Sequence, residues 1–476
     1  MSDSDLAGSS SAASAPRLAQ TYAEVEDALL SRWPETRIDP TLDRIRDFLA
    51  LLGDPQDGYP VVHLTGTNGK TSTARMIEAL VRVLGLRTGR FTSPHLESMT
   101  ERIVVDGEPL SEDQFVAAFN DIAPYTHLVD AQHSHPLSFF ETVTAMAYAT
   151  FADAPVDAAV VEVGLGGTWD STNVADGKVA VITPIAVDHA KYLGSTPAEI
   201  ARDKGGIIKP GATVVTAVQD EDVALVLGER CAEVGATLAR EGLEFGVATR
   251  VPAVGGQMLT LRGMRTSYEE VFLPLYGAHQ AQNAALALAA VEAFVGGEVA
   301  LDPEVVREAF AEATSPGRLE VIRRSPTIVL DAAHNPHGAE ATAAALEDSF
   351  QFEPLIGVIG VMADKDHEGV LAAFEPHLAH VVCTQNSTDR ALPVAELAAT
   401  AREVFGADRV SVTPRLADAI DEATTLAEAG EAVGSSIGTG AVLVTGSVVT
   451  VGEARAMLRR RGRTAGRDTG REEHGG

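Results

Sequence analysis

The sequence predicts an α/β protein: a P-loop-type parallel-sheet domain followed by a smaller, Rossmann-like α/β domain. Three observations predict it. Short apolar runs alternate with amphipathic stretches along most of the chain, the pattern of parallel sheets covered by helices on both faces. A glycine-rich segment closes the first such run and opens a helical pattern, as a phosphate-cradling loop does. Pro316 and Gly317 then interrupt the alternation before a second series of apolar runs. The 476 residues exceed what one ordinary core holds.

Taken in order, residues 1–18 are small and polar, with neither the basic start nor the apolar run of a signal peptide, and are expected to be disordered. VVHLTG (61–66), AAVVEVG (158–164) and VAVITPI (179–185) read as buried strands, with helical patterns at TARMIEALVRVLG (73–85) and NAALALAAVEAFV (283–295). Residues 240–276 carry Gly, Pro and short alternating runs, and read as a small antiparallel element. These segments make a first domain over 19–316, joined through SPGRLEVI (315–322) to a second over 317–458. Its expected strands are TIVLDAA (327–333), LIGVIGVM (355–362), HVVCTQ (380–385) and AVLVTGS (441–447). From Arg459 to Gly476 the chain has no apolar periodicity and is expected to lack structure.

Composition narrows the function classes. A formal net charge of -30 repels phosphate backbones and anionic lipid, which argues against nucleic-acid or membrane partners. No apolar run is long enough to span a bilayer. Two distant cysteines, Cys231 and Cys383, build neither a disulfide framework nor a thiolate zinc site, and point to a reducing cytoplasm. Lysine is rare, so Lys70, Lys204 and Lys365 draw notice by standing in motif-like contexts.

Four constellations carry chemistry. GTNGKTS (66–72) places Gly66, Thr67, Asn68, Gly69, Lys70, Thr71 and Ser72 between a strand and a helix. Glycines let backbone N–H groups face phosphate oxygens, Lys70 supplies a point charge, and Thr71 stands where a P-loop hydroxyl meets Mg²⁺. The strict spacing is broken by Leu64 in place of the first glycine. Glu162, at a strand's carboxyl end, with Ser93 and His189 from neighbouring segments, offers ligands to a hard divalent cation. ARDKGGIIKPG (201–211) carries Lys204 in helical register. HQAQNAALAL (279–288) opens a helix with Asn283 near its start, Arg318 lies in the linker, and DAAHNPHG (331–338) sets Asp331, His334 and Asn335 after a strand, where doubly wound sheets keep ligand sites.

GTNGK, TSPHL, EVGLGG, DH…LG, KGGI, PGR and DAAHNP occur together and in order over about residues 35–455. On these motifs the chain resembles the folylpolyglutamate synthase/dihydrofolate synthase family, within the wider Mur-ligase-like superfamily. The resemblance implies an ADP-forming ligase that activates a carboxylate as an acyl phosphate and joins it to L-glutamate. It implies that Gly66–Ser72, Asn283, Arg318 and Asp331 hold ATP, and that Ser93, Glu162, His189 and Thr71 ligate Mg²⁺. It also implies that Lys204 is carboxylated to a carbamate that helps bridge to the metal. His334 would lie near the incoming glutamate, and His334 or Asp331 would be the base. Dihydropteroate or a reduced folate would meet Asp39, Pro40 and Thr41; Phe140, Glu141 and Thr142; and Trp169, Asp170 and Ser171. Thr71 and Thr168 depart from residues frequent in the family. A monomer taking only small-molecule substrates is the family expectation. The alternative readings are a Mur ligase of peptidoglycan synthesis, for whose N-terminal domain the stretch before Gly66 is short, and a regulatory or transport P-loop NTPase, whose guanine-reading or LSGGQ-type motifs are absent.

Overall fold

The structure is a computed structural model that describes residues 18–34, 37–296, 299–431 and 440–472. An eight-stranded sheet comes first: β1 (Val61–Thr65), β2 (Thr88–Phe91), β3 (Ile103–Val105), β4 (Glu108–Pro109), β5 (Ala158–Glu162), β6 (Gly177–Ile182), β7 (Thr213–Thr216) and β8 (Thr237–Arg240). Its order is β4-β3-β2-β5-β1-β6-β7-β8. The six strands from β2 to β8 in that order pair in parallel, and β3 and β4 add an antiparallel edge.

Alternate residues of the central strands feed two cores, as the period of two requires. Val62, Leu64, Val160 and Val181 pack with the helices Lys70–Val83 and Ala278–Phe294, while Val61, Ala159 and Val161 pack with the helix Phe139–Asp153. Both faces are covered, so the central strands are buried throughout. Next, β9 (Gly246–Ala253), β10 (Gly256–Arg262) and β11 (Ser267–Leu273) form the expected antiparallel sheet.

The second sheet is β12 (Glu320–Arg324), β13 (Thr327–Leu330), β14 (Leu355–Ile359), β15 (His380–Gln385), β16 (Val410–Arg415) and β17 (Ala441–Thr445), in the order β12-β13-β17-β14-β15-β16. Only β12 is antiparallel to its neighbour. The fold class is therefore the one expected, with antiparallel edges on both large sheets that alternation alone did not reveal.

Several helix boundaries differ from expectation; the pattern at 283–295 belongs to a helix that already starts at Ala278. The helix after the glycine-rich loop starts at Lys70 rather than Thr73, with Gly69 as its N-cap at a left-handed φ of 89°. The final helix runs Val448–Glu472, so the chain continues helical past Arg459. That stretch has no proline, and six of its fourteen residues are arginine, which favours helix without an apolar stripe; Arg461 pairs with Asp421 at 2.6 Å. Residues 1–17 and 473–476 lie outside the described residues.

Candidate active site between the two lobes

The carboxyl ends of β1 and β13 open onto one cavity of about 760 Å³. It is lined by Gly66–Ser72, Ser93, Glu162, His189, Lys204, Asn283, Arg318, Asp331 and His334. These are all of the residues expected to hold nucleotide, cation or reacting groups, drawn from both lobes.

The loop 66–69 is shaped by contacts that only glycine tolerates. Gly66 has φ 146°, and a Cβ there would overlap the Thr183 side chain. A Cβ on Gly69 would stand 2.6 Å from Asn283 Oδ1. Asn283 is thus a wall against which the loop is pressed, and its amide donates to Gln280 Oε1 at 3.1 Å. Lys70 Nζ donates to the carbonyls of Gly66 (3.0 Å) and Thr67 (3.2 Å), and Lys204 Nζ to Gly66 at 2.8 Å. Two cations from different helices therefore brace one peptide. Burial depresses both amines; Lys204 is pushed down to about 7, with the charge of Lys70 adding to the effect. Ser72 turns its hydroxyl away, to Ser315 at 2.9 Å, leaving only its backbone for a phosphate.

Glu162 is buried, and burial raises its pKa against the pull of Lys70 and Thr71. The Thr71 hydroxyl donates to both of its oxygens (2.9 and 3.0 Å), and the nearby Ser93 backbone also favours its charged form. Ser93, Thr71 and Glu162 are thus mutually placed. His189 lines the same cavity, and its Nε2 lies 3.2 Å from Lys365 Nζ. Among the described residues no three His, Cys, Asp or Glu side chains form a ready metal cage.

Across the cavity, both Asp331 oxygens are engaged. Oδ1 accepts from Ala333 N (2.9 Å) and Thr342 Oγ1 (2.8 Å), and Oδ2 from Leu319 N (2.9 Å). The carboxylate ties the linker that precedes β12 to the loop and helix that follow β13. His334 donates Nδ1–H to the Ala332 carbonyl at 2.9 Å, a tautomer set by an acceptor that cannot donate. Its Nε2 faces Asp188 Oδ2 at 3.8 Å. Burial, reinforced by Lys365, pushes His334 down to about 4.

Sequence reading named Asn68, Asn335 and Lys365 without seeing that they join the lobes, and it did not single out Asp188 or His337. Asp188 accepts from Lys365 at 2.7 Å and from Asn335 at 3.2 Å. Burial would raise its carboxyl, but Lys365, His189 and His334 together hold it well below the usual carboxylate range. Asn68 of the glycine-rich loop exchanges hydrogen bonds with Asn335 (3.1 and 3.2 Å) and meets His337 at 3.0 Å. The scarcity of lysine was the one available signal for Lys365.

None of the nine residues expected to meet the pterin-type substrate lines this cavity. Glu141 is buried, chelates Arg44 Nε (3.1 and 3.3 Å) and closes the cap of its helix through Ser138 N (2.7 Å). Asp39 takes the other end of Arg44 at 2.5 Å. Thr142 donates inward to the Ser138 carbonyl. Asp170 is buried and accepts from Leu165 N, Thr172 N and Thr172 Oγ1, which folds the loop 164–173; Ser171 is buried beside it. Pro40, Thr41 and Trp169 remain partly open. Phe140 is half-buried against Gly164, where a Cβ would stand 2.5 Å from its ring, and Gly164 does line the cavity.

The Mur ligase middle domain matches residues 64–291, and the Mur ligase, glutamate ligase domain, matches 317–448. A dihydrofolate synthase/folylpolyglutamate synthase of Mycobacterium tuberculosis is 50% identical over 456 residues, covering 92% of this chain and 94% of the relative. One of Bacillus subtilis is 35% identical over 350 residues, covering 72% and 80%. The solved Mycobacterium tuberculosis folylpolyglutamate synthase complexed with ADP matches with a TM-score of 0.89 at 51% identity, covering 92% of this chain and 98% of that one. With this fold, this cavity and this identity along nearly its whole length, the chain belongs to the dihydrofolate synthase/folylpolyglutamate synthase family of Mur-ligase-type enzymes.

Proposed function

We propose that this protein is an ATP-dependent ligase that joins the carboxylate of dihydropteroate, and of a reduced folate, to the amine of L-glutamate, releasing ADP and phosphate. One observation carries the reading: the glycine-rich loop with Lys70 and the second-lobe groups Arg318, Asp331 and His334 line one cavity. The proposed division into domains, 19–316 and 317–458, is supported by each large sheet lying wholly on one side of that boundary. A monomer acting in the cytoplasm is part of the same proposal.

A carboxylate is a poor acyl donor because its oxygen leaves badly. Transfer of the γ-phosphoryl group to that oxygen makes an acyl phosphate and frees ADP. Gly66–Ser72 would hold the phosphates through backbone N–H groups, Lys70 and Arg318 would offset their charge, and Asn283 would back the loop. Asp331 would position the nucleotide by fixing its two loops. The glutamate amine then attacks the carbonyl carbon, and the C–O bond to phosphate breaks as the amide forms. The attacking nitrogen must shed a proton, and the open Nε2 of neutral His334 is the proposed acceptor.

A hard cation suits the oxygen donors Glu162, Thr71 and Ser93, since Glu162 is a buried carboxylate whose charge is only partly compensated. We assign Mg²⁺ to them, with His189 at the edge; when bound it would neutralise phosphate charge. Lys204, held partly neutral, is suited to add carbon dioxide as a carbamate. Phe140, Trp169, Asp39, Pro40 and Thr41 would face the pterin-type substrate, with Glu141, Thr142, Asp170 and Ser171 shaping that site from behind.

The test is ATP-to-ADP turnover with Mg²⁺ and L-glutamate, adding dihydropteroate or a reduced folate monoglutamate. Stimulation by both is expected; stimulation by one narrows the activity, and by neither removes the folate reading.

A further inference from the structure

The final helix begins at the cavity wall, where Val448 lines it, and then runs along the loop 93–98 of the other lobe. The contact between helix and loop is unusually close. A Cβ on Gly452 would overlap the Leu96 carbonyl oxygen. Leu96 inserts its side chain beside Val451 and Gly317; a Cβ on Gly317 would lie 3.2 Å from it and 3.1 Å from Val451. One turn on, Arg455 pairs with Glu97 of the loop and with Glu320 of β12 at 2.8 Å.

The loop itself is stiff. Glu101 accepts from the backbone N–H groups of Leu96 (2.9 Å), Glu97 (3.0 Å) and Ser98 (3.1 Å). A displacement at Leu96 therefore carries back along the chain to Ser93, which lines the cavity together with Glu162. The second lobe thus grips the far end of the segment whose near end orients the proposed cation ligands.

We propose that Gly452 and Arg455 are positioning residues: through Leu96 and Glu97 they hold Ser93 and Glu162 in register, so that the docked second lobe sets the affinity of the site for nucleotide-bound cation. The inference rests on the assignment of Mg²⁺ to Glu162, Thr71 and Ser93. Neither residue lines the cavity, so their effect must appear in linkage rather than in phosphate contacts.

The experiment is ADP binding by calorimetry to the full chain, with and without Mg²⁺, which needs no turnover. In the unmodified protein Mg²⁺ should tighten ADP binding; if it does not, the cation assignment fails, and the positioning role with it. In Gly452→Ala the Mg²⁺-dependent tightening should shrink by roughly ten-fold, while Mg²⁺-free ADP binding stays within about two-fold. Arg455→Ala should act in the same direction and Arg455→Lys should restore part of the effect, which covers the case in which Gly452→Ala fails to fold. An equal loss of binding with and without Mg²⁺, or an unchanged Mg²⁺ effect in Arg455→Ala, would overturn the positioning role.

Discussion

Lys204 donates a hydrogen bond to the Gly66 carbonyl from a site that resists its charge. Its amine is pushed down to about 7, first by burial and then by Lys70, with Asp203 and Asp188 opposing. Carbon dioxide adds only to a neutral amine, so activity should rise as pH increases through about 7 and should fall when bicarbonate is removed. Lys204→Ala and Lys204→Arg should each lower turnover by ~10²-fold, the scale of losing one preorganised charge at a reacting centre. A pH–rate profile with and without bicarbonate checks this, and a fully active Lys204→Arg would sink it. The sign for stability follows from the same shift. Between about 7 and the ordinary lysine range the unfolded chain binds the extra proton, so stability is gained as pH rises through that window and is absent below it. Denaturant titrations should show this gain, and Lys204→Met should lack it. Lys70 and Lys204 were legible because lysine is scarce and both sit in motifs. Asp188 was not singled out, because its partner Lys365 lies 177 residues away. Glu141 and Asp170 were read as ligand contacts, yet their carboxylates serve Arg44 and the 164–173 loop. A carboxylate in a motif looks the same in sequence whether it faces a ligand or a guanidinium.

At the scale of elements, the glycine-rich loop is a device for turning a strand into a helix while leaving N–H groups free. Gly69 carries both demands, a left-handed φ of 89° and a wall at Asn283. Gly69→Ala should therefore cost roughly 1–2 kcal/mol in backbone strain alone, expressed as weaker ADP binding of about ten-fold or more. Melting of the central sheet should move little, since β1 is buried independently of the loop. Calorimetric ADP affinity beside thermal unfolding separates the two; unchanged affinity would mean that the loop does not cradle the phosphates. The buried strands were legible because each is a short apolar run between breakers, and the 246–273 sheet because its runs alternate. The edge strands were not. β3 is an apolar run of only three residues, β4 is two exposed residues, and β12 is only partly buried, so none is long or patterned enough to mark a strand.

The whole molecule carries a net charge of -30, yet Lys70, Lys204 and Arg318 converge on one cavity, with Lys365 beside it. That concentration lets an acidic protein admit anionic substrates. The lobes meet around it through polar links: Asn68 with Asn335, Asp188 with Lys365, and Arg250 with Asp348 at 2.8 and 2.9 Å. The last pair is two-pronged, lines the cavity and is partly open to solvent. A pair of this exposure is worth about 0.5–1 kcal/mol at most, so it cannot hold the lobes together alone. A nucleotide bridging the cavity would add its own contacts to both lobes and favour the arrangement in which Arg250 reaches Asp348. The coupling between Arg250→Ala and Asp348→Ala, taken from a double-mutant cycle on unfolding free energy, should therefore be larger with saturating ADP than without it. Equal coupling in both conditions would mean that nucleotide binding leaves the approach of the lobes unchanged, and that the closed cavity is the resting form of the protein.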